Sequence, residues 1–250
     1  LKECSDLGVP AVGVGFMYPE GYLHQRLSPD GWQMNESESL DRSRAPICRV
    51  RDEDGQTLTI KVPIVERSIY FEVWKAQIGR VPLYLIDTDI EANDPWNRGI
   101  SSRLYIGDAE QRLVQEMILG IGGTQILEAL GIKHSILHLN EGHSAFAILE
   151  RIREKVEKGS SYKDAADQVR STTVFTTHTP VPAGHDVFSF ELMDKYFGSY
   201  IPLLDLDRDE FYKLGTDSSK SSFGFNMTAF ALRMSAFRNA VSKMHGIVTR

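Results

Sequence analysis

The chain has 250 residues, of which 42% are hydrophobic and 25% charged, and its formal net charge is -6. This composition is that of a globular protein and excludes a fibrous or low-complexity one. The acidic balance argues against a nucleic-acid partner, which favours basic surfaces, and no apolar run is long enough to span a bilayer.

The first predicted elements are a short helix and an apolar strand. Residues 1–6 are predicted to be the end of a helix that began earlier, with Gly8 at its C-terminal end. Residues 9–18 form a nearly continuous apolar run, which fits a buried parallel strand better than an edge strand. Neither terminus carries a start or stop signal, so we expect the chain to be an internal piece of a longer protein.

The next section is predicted to be mainly β structure, over residues 35–90. It begins with a polar stretch, 35–45, that is predicted to be a loop. Asp54-Gly55 is a hairpin signal. Partial alternation of apolar and polar residues then predicts antiparallel strands at 47–51, 57–62, 69–78 and 80–87.

From Asp108 onward the pattern is that of an α/β section, over residues 108–250. Asp108 is placed to cap a helix, because Gln111 follows at the capping-box spacing. Glycines at 120, 122 and 123 interrupt that helix, and close packing explains them better than a phosphate loop, since no P-loop Lys-Ser/Thr follows.

A strand–helix–helix–strand pattern follows and predicts two parallel strands joined by a crossover. Further helices are predicted after it. The strands are 135–139 and 172–177, and the helices are 145–158, 162–170, 190–196 and 226–241.

Both predicted strands end in polar clusters, one from Asn140 to His143 and one starting at His178. In open α/β sheets, ligands bind beyond the carboxyl ends of the strands. These two clusters are therefore the predicted site.

Three interpretations of the first cluster stay open. A metal site is disfavoured, because His138 and His143 lack the one-turn spacing of H-E-x-x-H. His138 as a core histidine with Asn140 as a helix cap is the structural alternative. The favoured interpretation is a polar rim of Asn140, Glu141 and His143 that hydrogen-bonds sugar hydroxyls or the loops that do.

The second cluster presents His178 on a loop that Pro180 and Pro182 are predicted to stiffen. A neutral imidazole both donates and accepts hydrogen bonds, which suits a ligand rich in hydroxyls. A structural role is favoured for His185 and Asp186 over a catalytic triad, because the chain has no G-x-S-x-G nucleophile elbow.

Many segments, in one order, resemble the α-glucan (glycogen/starch/maltodextrin) phosphorylase family, and more specifically its bacterial and archaeal branch. The resemblance covers essentially the whole chain. Its segments include Asp30-Gly31-Trp32-Gln33, His138-Leu139-Asn140-Glu141-Gly142-His143-Ser144, Thr177-His178-Thr179-Pro180-Val181-Pro182-Ala183-Gly184-His185-Asp186 and Val241-Ser242-Lys243-Met244-His245-Gly246.

The resemblance implies an α/β fold of the GT-B type, with residues 1–250 forming part of its N-terminal doubly wound domain. It implies a cytoplasmic glycosyltransferase that reversibly phosphorolyses terminal α-1,4-glucosyl units to glucose 1-phosphate. Its partners would be the glucan and inorganic phosphate, its assembly a homodimer, and its family includes allosteric enzymes. Pyridoxal 5'-phosphate would be bound by the C-terminal domain, which this chain lacks, so we expect the chain alone to be inactive.

By the same resemblance, His178 would contact the glucosyl unit and is the expected catalytic residue. Asp108, Asn140, Glu141 and His143 are the other expected substrate-binding residues. No residue of this chain is expected to bind the cofactor or a metal.

Two other classes stay open at this point. One is a GT-B nucleotide-sugar transferase related to glycogen synthase. The other is a non-catalytic glucan-binding module.

Overall fold

The computed structural model describes residues 1–20, 22–64, 67–104, 108–179, 184–216 and 224–249. The chain divides into two compact units. The first comprises Leu1–Val62 and Ser68–Gln115, and the second comprises Pro63–Arg67 and Glu116–Arg250.

The first unit contains mostly β-strands, with short helices near its two ends. Its strands are β1 (Gly13–Phe16), β2 (Tyr22–Leu27), β3 (Gln33–Glu38), β4 (Ile47–Arg49), β5 (Thr59–Ile64), β6 (Arg67–Ile78) and β7 (Val81–Asp87). Its helices are α1 (Lys2–Asp6), α2 (Pro95–Arg98), a 3-10 turn at Gly99–Ser101 and the beginning of α3 (Ala109–Met117).

A mixed sheet organises this unit, in the order β1-β7-β6-β4 with β5 also on β6. The β6–β7 and β4–β6 pairs are antiparallel, as the alternating pattern predicted. The prediction that β1 is parallel is also confirmed, since it pairs parallel with β7. The prediction that it is not an edge strand is wrong: β1 ends the order of described strands and is half-buried except for Phe16.

Two further local predictions have clear outcomes. Gly8 follows α1 with a φ of 69°, the left-handed conformation expected at that position. The loop predicted over 35–45 is wrong in its first part, because β3 pairs with β2 in an antiparallel hairpin. This hairpin is exposed on both strands where its side chains are described, so it lacks the apolar face from which a strand is usually recognised.

The second unit is α/β. Its strands are β8 (Leu137–Asn140), β9 (Thr173–Thr177), β10 (Val187–Phe188), β11 (Phe225–Asn226) and β12 (Phe237–Ala240). Its helices are α4 (Gly123–Ala129), α5 (Phe146–Glu157), α6 (Tyr162–Ser171), α7 (Phe190–Phe197), α8 (Arg208–Gly215), α9 (Met227–Arg233) and α10 (Lys243–Val248), with 3-10 turns at Gly142–Ser144 and Ile201–Leu204.

Its main sheet has the order β12-β9-β8 and is parallel throughout. The predicted crossover is confirmed, because β8 and β9 are neighbours joined through α5 and α6. The helix predicted over 226–241 is wrong in its second half. There α9 ends at Arg233, and β12 hydrogen-bonds alongside β9.

The glycine run lies inside a continuous helical segment, as predicted, where a π-helical stretch at Ile118–Gly122 links α3 to α4. A Cβ atom on Gly120 would lie 2.6 Å from the backbone nitrogen of Ala147. Close approach to α5 therefore explains this glycine. Around α5 the core is aromatic, formed by Phe146, Phe197, Phe211, Phe225 and Phe230.

None of the helices in the described ranges combines the length and the apolar composition needed to cross a bilayer.

Candidate functional site

The carboxyl ends of β8 and β9 bring the two polar clusters together. Asn140 lies opposite Thr176 in the parallel register, and the backbone N–H of Glu141 donates to the Thr176 carbonyl at 3.0 Å. His178 follows two residues later, at the end of β9. The predicted adjacency of the strand ends is therefore confirmed.

Glu141 turns its side chain into the protein at this junction. Its φ is 64°, an uncommon conformation for a residue with a side chain, and it is only 5% exposed. Its Oε1 atom accepts hydrogen bonds from the backbone N–H groups of His178 and Thr179, the latter at 2.6 Å. The carboxylate thus ties the end of β8 to the loop after β9.

His178, by contrast, is exposed. Thr179 and Gly184 lie close together, since a Cβ atom on Gly184 would lie 2.6 Å from Thr179 Cβ. Pro180 and Pro182, on which the prediction of a stiff loop rested, lie outside the described residues. The His178 side chain is exposed to solvent, while its backbone N–H donates a hydrogen bond to the buried Glu141 carboxylate.

Asn140 is also exposed, at the last position of β8. It does not cap the 3-10 turn that follows, whose N-cap is Glu141 without a side-chain bond. His138 is not a core residue either: it is exposed, and its Nε2 lies 2.7 Å from Thr176 Oγ1. The structural alternative for these two residues is therefore wrong.

His143 lies in a cluster with two carboxylates that sequence reasoning did not place there. Its Nδ1 atom is 3.5 Å from Glu116 Oε1 and 3.4 Å from Asp186 Oδ2. Both acids are nearly fully buried, whereas the His143 side chain is 47% exposed. Distant segments supply these carboxylates, Glu116 near the end of α3 and Asp186 just before β10, so no local motif could have revealed them.

The electrostatics of this cluster favour a charged imidazole. Hydrogen bonding to Asp186 and to Glu116 raises the pKa of His143 to about 10. Burial raises the pKa of Glu116 to about 7. The raised pKa of His143 favours an imidazolium beside the two acids, while Oε2 of Glu116 is buried without a hydrogen-bond partner among the described residues.

The same three side chains are the group that a metal ion would use, with ligand atoms all within 4.8 Å of one another. The argument from the sequence against a metal rested on the spacing of His138 and His143, whereas the fold brings Glu116 and Asp186 to His143 from other segments. The distances from Nδ1 to the two carboxylates and the raised pKa of His143 support an ion-pair network.

His185 and Asp186 do not act as a pair in the contacts observed. His185 Nδ1 lies 2.8 Å from the Thr228 hydroxyl, and Asp186 faces His143. These contacts support the structural roles favoured over a triad, which stay predictions.

Asp108 belongs to the first unit, whereas Asn140, Glu141, His143 and His178 belong to the second. Its carboxylate accepts from the backbone N–H of Gln111 at 3.1 Å, so the predicted N-cap of α3 is confirmed. The side chain is exposed.

No protein-family model matches the chain. The chain is similar to several curated proteins that are named phosphorylases. A glycogen phosphorylase from Aquifex aeolicus is 40% identical over 245 residues, which are 98% of this chain and 35% of the relative. A maltodextrin phosphorylase from Thermococcus litoralis is 42% identical over 250 residues, covering 100% of this chain and 29% of the relative.

A third relative, a glycogen phosphorylase from Mycobacterium tuberculosis, is 40% identical over 263 residues, with coverage of 100% and 30%. The chain thus spans about a third of the length of these curated relatives.

Proposed function

We propose that this chain, whose whole length is homologous to α-glucan phosphorylases, forms the glucosyl-binding part of an enzyme that phosphorolyses α-1,4-glucans. The reaction releases the terminal glucosyl unit as glucose 1-phosphate. The observation that carries this proposal is that His178 is exposed just after a strand of a parallel sheet, at its carboxyl end. The chain's similarity to a maltodextrin phosphorylase supports the same proposal.

His178 is the proposed contact to the glucosyl unit. His178 directly follows the carboxyl end of β9. Open α/β sheets bind their ligands beyond the carboxyl ends of parallel strands. The imidazole both donates and accepts hydrogen bonds, so it suits sugar hydroxyls. Exposed Asn140, at the end of the neighbouring strand, is proposed to add an amide to the same surface.

The other expected site residues differ in whether they are proposed to contact the substrate. Glu141 is buried and His143 is engaged with Glu116 and Asp186, so both support the surface from below. Asp108 caps α3, and its exposed carboxylate stays a proposed substrate contact on the strength of family resemblance alone.

A GT-B fold is proposed for the complete enzyme. The parallel sheet β12-β9-β8 with its crossover helices supports it, since doubly wound domains are built from such units. A cytoplasmic homodimer acting on glucan and inorganic phosphate is proposed by analogy with the family.

Pyridoxal phosphate is the proposed cofactor, but the described residues of this chain do not fit its attachment. A Schiff-base lysine is typically desolvated. The lysines in the described ranges are exposed or half-exposed. We therefore place its attachment outside this chain and derive no step through it.

The test uses the full-length protein with maltodextrin. Glucose 1-phosphate formed only when inorganic phosphate is present supports the proposal. Glucan extension from a nucleotide sugar would instead identify a transferase, and glucan binding without turnover would identify a binding module; either result rejects it.

A further inference from the structure

We propose that Glu141 is a positioning residue, which fixes the direction of His178 through the backbone and does not contact the sugar. The proposal deepens the proposed function and rests on it for the effect on catalysis. It assigns to Glu141 a role different from the substrate contact that family resemblance suggests.

The first argument is the pattern of hydrogen bonds. A single oxygen, Oε1, accepts from two successive backbone N–H groups, those of His178 and Thr179. Hydrogen bonds to a charged acceptor are stronger than neutral ones. Two bonds to adjacent amides fix the orientation of the peptide that joins these residues, and with it the direction in which the His178 side chain leaves the loop.

The second argument is burial. Glu141 is 5% exposed, whereas His178 is exposed on the same junction. Its second oxygen, Oε2, is fully covered and has no hydrogen-bond partner in the described part of the chain. A ligand on the surface that His178 presents meets the imidazole, not this carboxylate.

The third argument is backbone strain. Glu141 has a φ of 64° and a ψ of -174°, which a residue with a side chain adopts only when its surroundings enforce it. The neighbouring Gly142 explains part of this, because a Cβ atom there would lie 3.1 Å from Met227 Cβ. With the turn pressed against α9, the Glu141 side chain is directed under the His178 loop.

The test compares three variants of the full-length protein. Glu141→Ala removes the acceptor. Glu141→Gln keeps an acceptor oxygen at the same reach and removes the charge. Glu141→Asp keeps the charge and shortens the reach by one methylene. Each is examined by residue-resolved amide hydrogen exchange and by steady-state phosphorolysis.

The expected result is that Glu141→Ala loses exchange protection at the amides of His178 and Thr179, while Val174 and Phe175 within β9 keep theirs. Its kcat/KM falls about 10- to 100-fold, the scale of a small misplacement of a reacting group. Glu141→Gln retains part of both protection and turnover, because a weaker neutral acceptor remains within reach, and Glu141→Asp retains neither.

Unchanged protection in Glu141→Ala would overturn the proposal. So would a Glu141→Gln variant that keeps protection but is as inactive as Glu141→Ala, because the charge would then act directly on the substrate. If Glu141→Ala does not fold, the contrast between Gln and Asp decides. If the wild-type protein forms no glucose 1-phosphate, the proposed function fails, and the exchange data alone decide whether Glu141 fixes the loop.

Discussion

His143 places its Nδ1 atom 3.4 Å from the Asp186 carboxylate, and this contact joins the turn after β8 to the residue that precedes β10. Glu116 lies on the other side of the same nitrogen, at 3.5 Å. The two carboxylates favour the charged imidazole, so folding and protonation of His143 are linked.

The linkage predicts a fall in stability as the pH rises. A histidine whose pKa is raised from 6.5 to about 10 stabilises the fold fully below pH 6.5, and this contribution is lost as the pH rises toward 10. Because nearly half of the side chain is exposed, we expect only about 1 kcal/mol between pH 7 and pH 9. Urea unfolding at the two pH values measures it.

His143→Gln should reduce this pH dependence, whereas the control His24→Gln, on the exposed hairpin, should keep it. An identical pH dependence in wild type and His143→Gln would contradict the role assigned to the cluster.

Gly120→Ala is expected to destabilise the second unit. The new methyl group would lie 2.6 Å from the backbone nitrogen of Ala147 and 2.8 Å from the carbonyl carbon of Phe146. Backbone atoms cannot move aside cheaply, so the loss should be about 1–3 kcal/mol. Thermal or urea unfolding measures it.

The matched control is Gly15→Ala, since a Cβ atom there meets nothing within 4 Å. It should change stability by less than about 0.5 kcal/mol. Equal effects of the two substitutions would refute the packing argument.

Asp108 allows its capping role to be separated from a sugar contact. Asp108→Ala should cost about 1 kcal/mol of stability, because the Gln111 N–H loses its acceptor. Asp108→Asn should retain the cap. If Asp108 also binds glucan as an anion, the Asn variant lowers kcat/KM at unchanged stability; unchanged kinetics would remove Asp108 from the site.

The 250-residue chain is expected to form no glucose 1-phosphate on its own. Family resemblance assigns the cofactor lysine and the phosphate-binding side chains to residues outside it, and without them acid–base chemistry at phosphate is not possible. An assay of the purified chain with maltodextrin and phosphate checks this. Detectable glucose 1-phosphate formation by the purified chain would contradict it.

Much of the fold could be predicted from local patterns. The crossover between β8 and β9 follows from strand–helix–helix–strand periodicity, and the cap by Asp108 from its spacing to Gln111. β12 could not be predicted in the same way. Its residues, Phe237–Ala240, carry no local pattern that distinguishes them from the preceding helix α9. Their pairing with β9 in the tertiary fold makes them a strand.

In the candidate site, too, some features follow from local sequence and others depend on the tertiary fold. The adjacency of Asn140, Glu141 and His178 follows from two parallel strands ending together. The partners of His143 do not, because Glu116 and Asp186 come from separate segments that only the tertiary fold assembles. Nor does sequence show that Glu141 points inward, which depends on its left-handed backbone conformation.

The central claim is that His178 contacts the glucosyl unit. The most direct measurement is kcat/KM for maltodextrin phosphorolysis by the full-length protein carrying His178→Ala, with His24→Ala as the control. We predict a loss of about 1–3 kcal/mol in transition-state stabilisation for His178→Ala and no change for the control. An unchanged kcat/KM in His178→Ala would contradict the account.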